Sequence, residues 1–156
     1  MTITLRQARP DDAATLCAIL NPIIALGDTT AYTQPFTVDT MMPYYIVSDE
    51  LISCVVAEQD GAVQGFQGLF KADPAKLTYL DDPQNIASIG SFARIDTQAR
   101  GVGRAMMGET IRLARAKGLR AINATIRADN VPGLAFYSRC GFKDVGETPD
   151  VPVGDS

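Results

Sequence analysis

Apolar and polar residues alternate over residues 3–8 (Ile-Thr-Leu-Arg-Gln-Ala), a period of two that predicts a strand ended by Pro10. The period then lengthens. Ala13, Leu16, Cys17, Leu20, Ile23 and Ile24 recur at helical spacing behind Asp11 and Asp12, two carboxylates suited to the positive end of a helix. An amphipathic helix is expected there, disturbed at Pro22 and stopped near Gly27. Residues 28–37 mix hydroxyl, aromatic and proline positions and read as an ordered loop, followed by a short helix over 38–46 that Pro43 weakens. Two β-rich runs, 51–58 and 62–70, are joined across Gln59-Asp60-Gly61, and Asp-Gly is a hairpin turn signal, so they are expected to pair antiparallel.

Residues 71–85 hold two prolines and three aspartates and read as a loop before a strand over 86–95. A long helix over 103–117 follows, with Met106, Met107, Thr110, Ile111, Leu113 and Ala114 as its apolar stripe and Gly118 as its stop. A strand over 119–126, a helix capped by Asp129 or Asn130 and running to about Cys140, and a last strand over 142–146 complete the order β-α-α-β-β-β-α-β-α-β. There is no internal repeat or linker. One α/β domain over residues 1–148 and a loose tail over 149–156 are expected.

Composition narrows the chemistry. A chain of 156 residues is long enough for one core that buries about two-thirds of its unfolded surface. No apolar segment approaches the roughly 20 residues that span a bilayer, and no basic leader precedes one, so neither membrane insertion nor export is expected. Cys17, Cys54 and Cys140 are odd in number and widely spaced, which fits a reducing cytoplasm and neither a disulfide framework nor a metal site. Histidine is absent, which excludes Ser-His and Cys-His nucleophile schemes and HExxH zinc sites.

Charge is uneven. Residues 94–127 carry eight basic residues against two acids, a local net of +6 that leaves −10 for the rest of a chain whose total is −4. A basic segment in an acidic protein points to a local anionic ligand or to a solvated helix face, and a nucleic acid is not expected because the remaining surface would repel it.

The segment running from Ile95 through Gln98-Ala99-Arg100-Gly101-Val102-Gly103 to Met107 leads from a strand through a glycine turn into the long helix. Such a junction gathers backbone N–H groups at the positive end of a helix dipole and makes a phosphate cradle. It lacks GxxxxGK[ST], and Met106 stands where a dinucleotide fingerprint has its third glycine, so a nucleotide enzyme is disfavoured.

These residues resemble the GNAT acetyltransferases, whose acetyl-CoA loop follows [Q/R]-x-x-G-x-[G/A]; Gln98, Gly101 and Gly103 match its fixed positions. A second segment of that family, N-x6-Y-x3-G-F, is matched in order by Asn130, Tyr137, Gly141 and Phe142. The resemblance implies a mixed, mostly antiparallel sheet with a splayed parallel strand pair and helices on both faces. It assigns the cofactor pyrophosphate to the backbone of Gln98, Ala99, Arg100, Gly101, Val102, Gly103 and Arg104. The pantetheine arm goes to the strand at Phe92, Ala93, Arg94 and Ile95, with Asn130 beside it or serving only as a helix cap. It also implies that Tyr137 lies near the cofactor sulfur and protonates the departing thiolate. Ser88 and Ser91 are read as facing one side of the strand, where they orient a water.

Several relatives, the phosphinothricin acetyltransferase group among them, carry a glutamate on this strand that activates the amine through water. Here Asn85, Ala87 and Ser88 stand in the corresponding stretch, so the general base is unassigned, with Asp81, Asp82, Glu50 and Glu58 as carboxylate candidates. The threonine-rich stretch around Thr29, Thr30, Tyr32 and Phe36 resembles the acceptor wall of that group. The expected activity is direct transfer of an acetyl group from acetyl-CoA to a primary amine of a small molecule, without a metal; the alternative is a non-catalytic acyl-CoA-binding or sensing domain. Pairing of two copies through the last helix and strand is compatible with the resemblance.

Overall fold

The computed structural model describes residues 2–27, 30, 32–72, 85–95, 101–127 and 129–143. Strand β1 (Ile3–Gln7) leads through a 3-10 turn (Pro10–Asp12) into α1 (Ala13–Leu26), and a short α2 (Val38–Met41) continues as a π-helical turn (Met42–Ile46). Then come β2 (Leu51–Gln59), β3 (Ala62–Lys71), β4 (Ile86–Ala93), α3 (Val102–Ala116), β5 (Ala121–Asn123) and α4 (Val131–Arg139). The strands lie side by side in chain order; all neighbours are antiparallel except β4 and β5, which are parallel.

Local chemistry explains most of the element ends. Asp60 and Gly61 have φ of 55° and 78°, the left-handed pair that a two-residue hairpin turn requires between β2 and β3. Gly27 and Gly118 close α1 and α3 in the same left-handed region. Pro22 departs from expectation, since α1 runs through it without a break. Pro43 has the opposite effect: it sits in the first turn of the π-helical segment, where its missing N–H costs nothing, and the expected 38–46 helix is split there.

The core has two sides. On one face of the sheet, Leu16, Ile19, Leu20 and Ile24 of α1 pack with Met41, Tyr45, Cys54, Val56 and Phe66. On the other, Val55 and Ala57 meet Val102 and Met106 of α3, while Leu69 and Ala87 meet Ala114. Gly65 of β3 makes that second approach possible: a Cβ there would stand 2.7 Å from the Phe92 carbonyl and 3.1–3.2 Å from Met106 and Val102. At the far side, Arg6 bridges Asp12 at 2.8 Å and Glu58 at 2.7 Å, tying β1, β2 and the start of α1 together.

The expected strand over 119–126 is shorter than its pattern. β5 pairs with β4 only at Ile86–Ala121, Ala87–Ile122 and Ser88–Asn123, after which the two chains part. β4 ends at Ala93, two residues before the expected limit. Phe142 and Lys143 are not in a strand, and the rest of the expected last strand, like the 149–156 tail, lies outside the described residues. No described helix is long and apolar enough to cross a membrane.

Candidate active site

Beyond Ser88–Asn123 no described strand pairs with that edge of β4, and alternation fixes which backbone groups face it. The Arg94 N–H donates to the Gln64 carbonyl at 2.9 Å, and Arg120 N–H donates to the Asn85 carbonyl at 2.8 Å. In an antiparallel ladder successive residues turn their N–H and C=O groups to opposite sides. Phe92 and Arg94 therefore bond toward β3, whereas Ile89, Ser91 and Ala93 turn toward the β5 side, beyond the last β4–β5 pair. Of the strand positions expected to serve a cofactor with their backbone, Ala93 turns to that edge, Phe92 and Arg94 turn toward β3, and Ile95 lies past the strand with its side chain exposed.

The two serines do not share a side. Three positions apart on a regular strand, Ser88 stands opposite Phe70 on the α1 face and Ser91 opposite Gln67 on the α3 face. Gln67 Nε2 donates to Ser91 Oγ at 3.0 Å. Gln67 is fully buried, and its Oε1 has no hydrogen-bond partner among the described residues. Pattern reading missed this glutamine; its signal is an amide in the apolar run from Phe66 to Phe70.

The glycine turn runs from β4 to the start of α3. Gln98, Ala99 and Arg100 lie outside the described residues. Gly101 is the N-cap of α3, with φ 81° and no side-chain cap, and the first turn holds no acidic residue. Among the described residues a Cβ built on Gly101 would meet nothing within 4 Å, which suits the close approach that a bound diphosphate requires. Val102 is buried against the sheet, and Arg104 is exposed in the first turn. Gly103 lies against α4, and a Cβ there would stand 2.8 Å from the Phe136 ring. Its missing side chain allows α3 and α4 to pack.

In α4, Asn130 Oδ1 accepts from Gly133 N–H at 3.0 Å and so caps the helix. Tyr137 is wedged between Phe136 and Phe142, with ring centroids 5.2 and 5.1 Å away. Burial, with a smaller contribution from neighbouring Cys140, pushes its phenol up to about 12, so it is a neutral hydroxyl at physiological pH.

The expected acceptor wall lies on the α1 face. Thr29 is outside the described residues; Thr30 is buried, and its Oγ1 accepts from Tyr32 N–H at 3.2 Å. Asn21 pins the wall from α1 by two bonds to the Phe36 backbone, at 2.8 and 2.9 Å. Tyr32 stacks edge-on with Phe36 at 5.2 Å and lies 6.2 Å from Phe92 of β4, which brings the expected wall and the expected cofactor strand together. Its hydroxyl is 2.8 Å from that of Tyr45, and burial raises both phenols. Tyr45 sits over a notch made by Gly68 and Gly90, where added Cβ atoms would stand 2.9 Å from its ring and 3.4 Å from its hydroxyl. A small surface pocket lined by Ala18, Ile19, Pro22, Arg94 and Ile95 opens where α1 passes the end of β4.

Of the carboxylate candidates for a base, Glu58 is held by Arg6 on β2 and Glu50 is exposed just before that strand. Asp81 and Asp82 lie outside the described residues. No group of three or more His, Cys, Asp or Glu side chains able to hold a metal occurs among the described residues.

A mostly antiparallel sheet with one parallel pair, β4 and β5, and a glycine-started α3 packed on it sets the class of fold. The acetyltransferase (GNAT) family model matches residues 26–142, and the chain belongs to that family and is an N-acetyltransferase. Among curated proteins it is 27% identical, over 98% of its own length and 91% of the relative's, to the Bacillus subtilis protein called "Putative phosphinothricin acetyltransferase YwnH". It is 25% identical to the L-methionine sulfoximine/L-methionine sulfone acetyltransferase of Pseudomonas aeruginosa, over 97% of its length and 86% of the relative's. A solved GCN5-related N-acetyltransferase from Kribbella flavida shares the fold with a TM-score of 0.80 at 23% identity, over 95% of this chain and 86% of that one. A Sinorhizobium meliloti phosphinothricin acetyltransferase in complex with AcCoA superposes with a TM-score of 0.76 at 21% identity, over 92% and 76% of the two chains.

Proposed function

We propose that the chain transfers the acetyl group of acetyl-CoA directly to the primary amine of a small, amino-acid-like molecule. The observations that support this reading are that, among the described residues, β4 has no pair on the β5 side beyond Ser88 and that α3 begins at Gly101 without a side-chain cap. An extended acyl arm and its diphosphate need these two features at one end of one sheet. The names of the phosphinothricin and methionine sulfoximine relatives support the acceptor class.

When bound, the thioester supplies an activated acyl group. The residues do the rest. The first-turn amides of α3, with Gly101 open to close approach, hold the diphosphate, and Arg104 adds charge. Ser91 and Ala93 turn their N–H groups to the arm, and an N–H aimed where negative charge develops stabilises the attacked carbonyl oxygen. Tyr137 keeps its proton at neutral pH and donates a hydrogen bond to the departing sulfur; the amine nitrogen bonds to the acyl carbon as the carbon–sulfur bond breaks, and the proton the amine loses ends, through water, on the thiol whose ordinary pKa is near 8.5. Thr30, Tyr32 and Phe36 shape the acceptor side. The three free cysteines fit a reducing cytoplasm, and the exposed Val131 and Leu134 on α4 support self-association through that helix.

A thiol-release assay over a panel of amines, with phosphinothricin and methionine sulfoximine at its head, tests the reading. Turnover with an amino-acid-like amine is expected; cofactor binding without thiol release on any amine would favour the non-catalytic alternative. That alternative draws support from Glu58, whose carboxylate is engaged by Arg6. Tyr137→Phe is expected to lower kcat about a hundredfold, within the range of a lost acid–base group. Its acetyl-CoA affinity should stay within about twofold of the parent, because the phenol acts on the leaving group.

A further inference from the structure

Where the chain leaves β5 it does not drift free. Arg127 Nη1 donates to the carbonyls of Gly27 at 2.9 Å and Thr30 at 3.1 Å, 100 and 97 positions away in sequence. Its Nε and Nη2 grip the two oxygens of Asp129 at 3.0 and 2.7 Å. Among the described residues the planar guanidinium thus serves four acceptor atoms at once, a fork that a lysine ammonium cannot reproduce.

Both ends of this contact matter. Gly27 is the C-cap of α1, whose last turn has no basic residue, so Arg127 brings a cation to the negative end of that helix from across the fold. Thr30 begins the polar chain that runs through Tyr32 N–H, the Tyr32 and Tyr45 hydroxyls, and the glycine notch above β4. On the other side, Asp129 immediately precedes Asn130, the cap of the helix that carries Tyr137. One side chain therefore links the wall on the α1 face to the helix beyond β5, past the last β4–β5 pair.

We propose that Arg127, oriented by Asp129, is a positioning residue that sets the acceptor wall against the open edge of β4. The inference rests on the reading above, that this wall belongs to the amine. Arg127 holds the carbonyls at the start of the wall, and without it Thr30 and Tyr32 lose their fixed distance from the strand while Asn21 still holds Phe36.

The test uses Arg127→Met, Arg127→Lys and Asp129→Asn in the full chain, with amide hydrogen exchange, acetyl-CoA affinity and acceptor kinetics measured side by side. In Arg127→Met, the Tyr32 amide is expected to exchange at least tenfold faster while β2 and β3 amides keep their rates. Acceptor KM should rise at least fivefold with acetyl-CoA affinity within twofold, and the lysine and asparagine variants should fall between. Unchanged Tyr32 exchange in folded Arg127→Met would overturn the proposal; so would a uniform acceleration with an equal loss of cofactor affinity, the mark of general destabilisation. If the methionine variant does not fold, Arg127→Lys and Asp129→Asn decide by the same two readouts. A wild-type chain that acetylates no amine would sink the acceptor reading, and the exchange comparison would then decide by itself whether Arg127 fixes the wall.

Discussion

The starts of α1 and α3 are both positive helix ends at the margin of one sheet, and the chain treats them oppositely. At α1 it supplies its own anion. Asp12 is buried, accepts from Arg9 N–H at 2.7 Å and is gripped by Arg6 through both oxygens at 2.8 and 2.9 Å. At α3 the described residues supply none: Gly101 caps without a side chain, the first turn has no acid, and a Cβ on Gly101 would meet no described atom within 4 Å. A helix end given no anion by the described residues is one that a ligand can complete. The contrast separates a structural terminus from a functional one on charge and space alone.

Breaking the closed end should have the largest effect on folding. Asp12→Ala leaves the Arg6 guanidinium with Glu58 as its one acidic partner and is expected to cost about 3 kcal/mol, the range for removing one member of a mostly buried pair. Urea unfolding at pH 7 measures it. The pH dependence has a definite sign. The Arg6 hydrogen bonds hold the Asp12 carboxyl below its ordinary value, against the opposing effect of burial. Its contribution is therefore complete above about 3.9, the unfolded value, and is lost as pH falls through the lower folded value. The gap between parent and variant should be constant from pH 7 to 5 and close in acid; a gap that widened in acid would contradict the assignment.

At the open end, the two motif glycines are expected to separate. Gly103→Ala pushes a methyl group into the Phe136 ring and should destabilise by about 1–2 kcal/mol, the scale of mild overpacking. Adding Phe136→Leu should recover part of that loss if the contact is its cause. A thermal melt of the single and double variants checks it, and a Gly103→Ala chain as stable as the parent would show that this glycine is not there for helix packing.

Much of this arrangement is legible in the chain and some is not, for physical reasons. Asp60-Gly61 announces the hairpin because the turn's dihedral angles are a local property. The 3.6-residue stripe of α3 and the glycine turn before it can be read in the same way. The end of β5 cannot, because residues 119–126 keep a strand-like pattern while pairing depends on where the neighbouring strand goes. The bonds from Arg127 to Gly27 and Thr30 join positions about a hundred residues apart, which periodicity does not report. Glycine motifs carry a further ambiguity: Gly101 and Gly103 look alike in sequence, but one has a left-handed φ beside open space and the other lies under a phenylalanine ring. Ser88 and Ser91 are three apart, and a strand's period of two turns them to opposite faces, as the ladder register shows.

The central claim is that the mouth of α3 is left uncapped for a diphosphate. Calorimetric titration of acetyl-CoA into the parent, Gly101→Asp and Gly101→Asn tests it most directly. Aspartate and asparagine both tolerate a left-handed φ better than most residues, and only aspartate brings a fixed anion to the helix end, as Asp12 does at α1. The account predicts a folded Gly101→Asp whose acetyl-CoA affinity falls at least about fiftyfold, roughly 2.3 kcal/mol, with Gly101→Asn losing only a few-fold. Equal affinities in all three chains would contradict it.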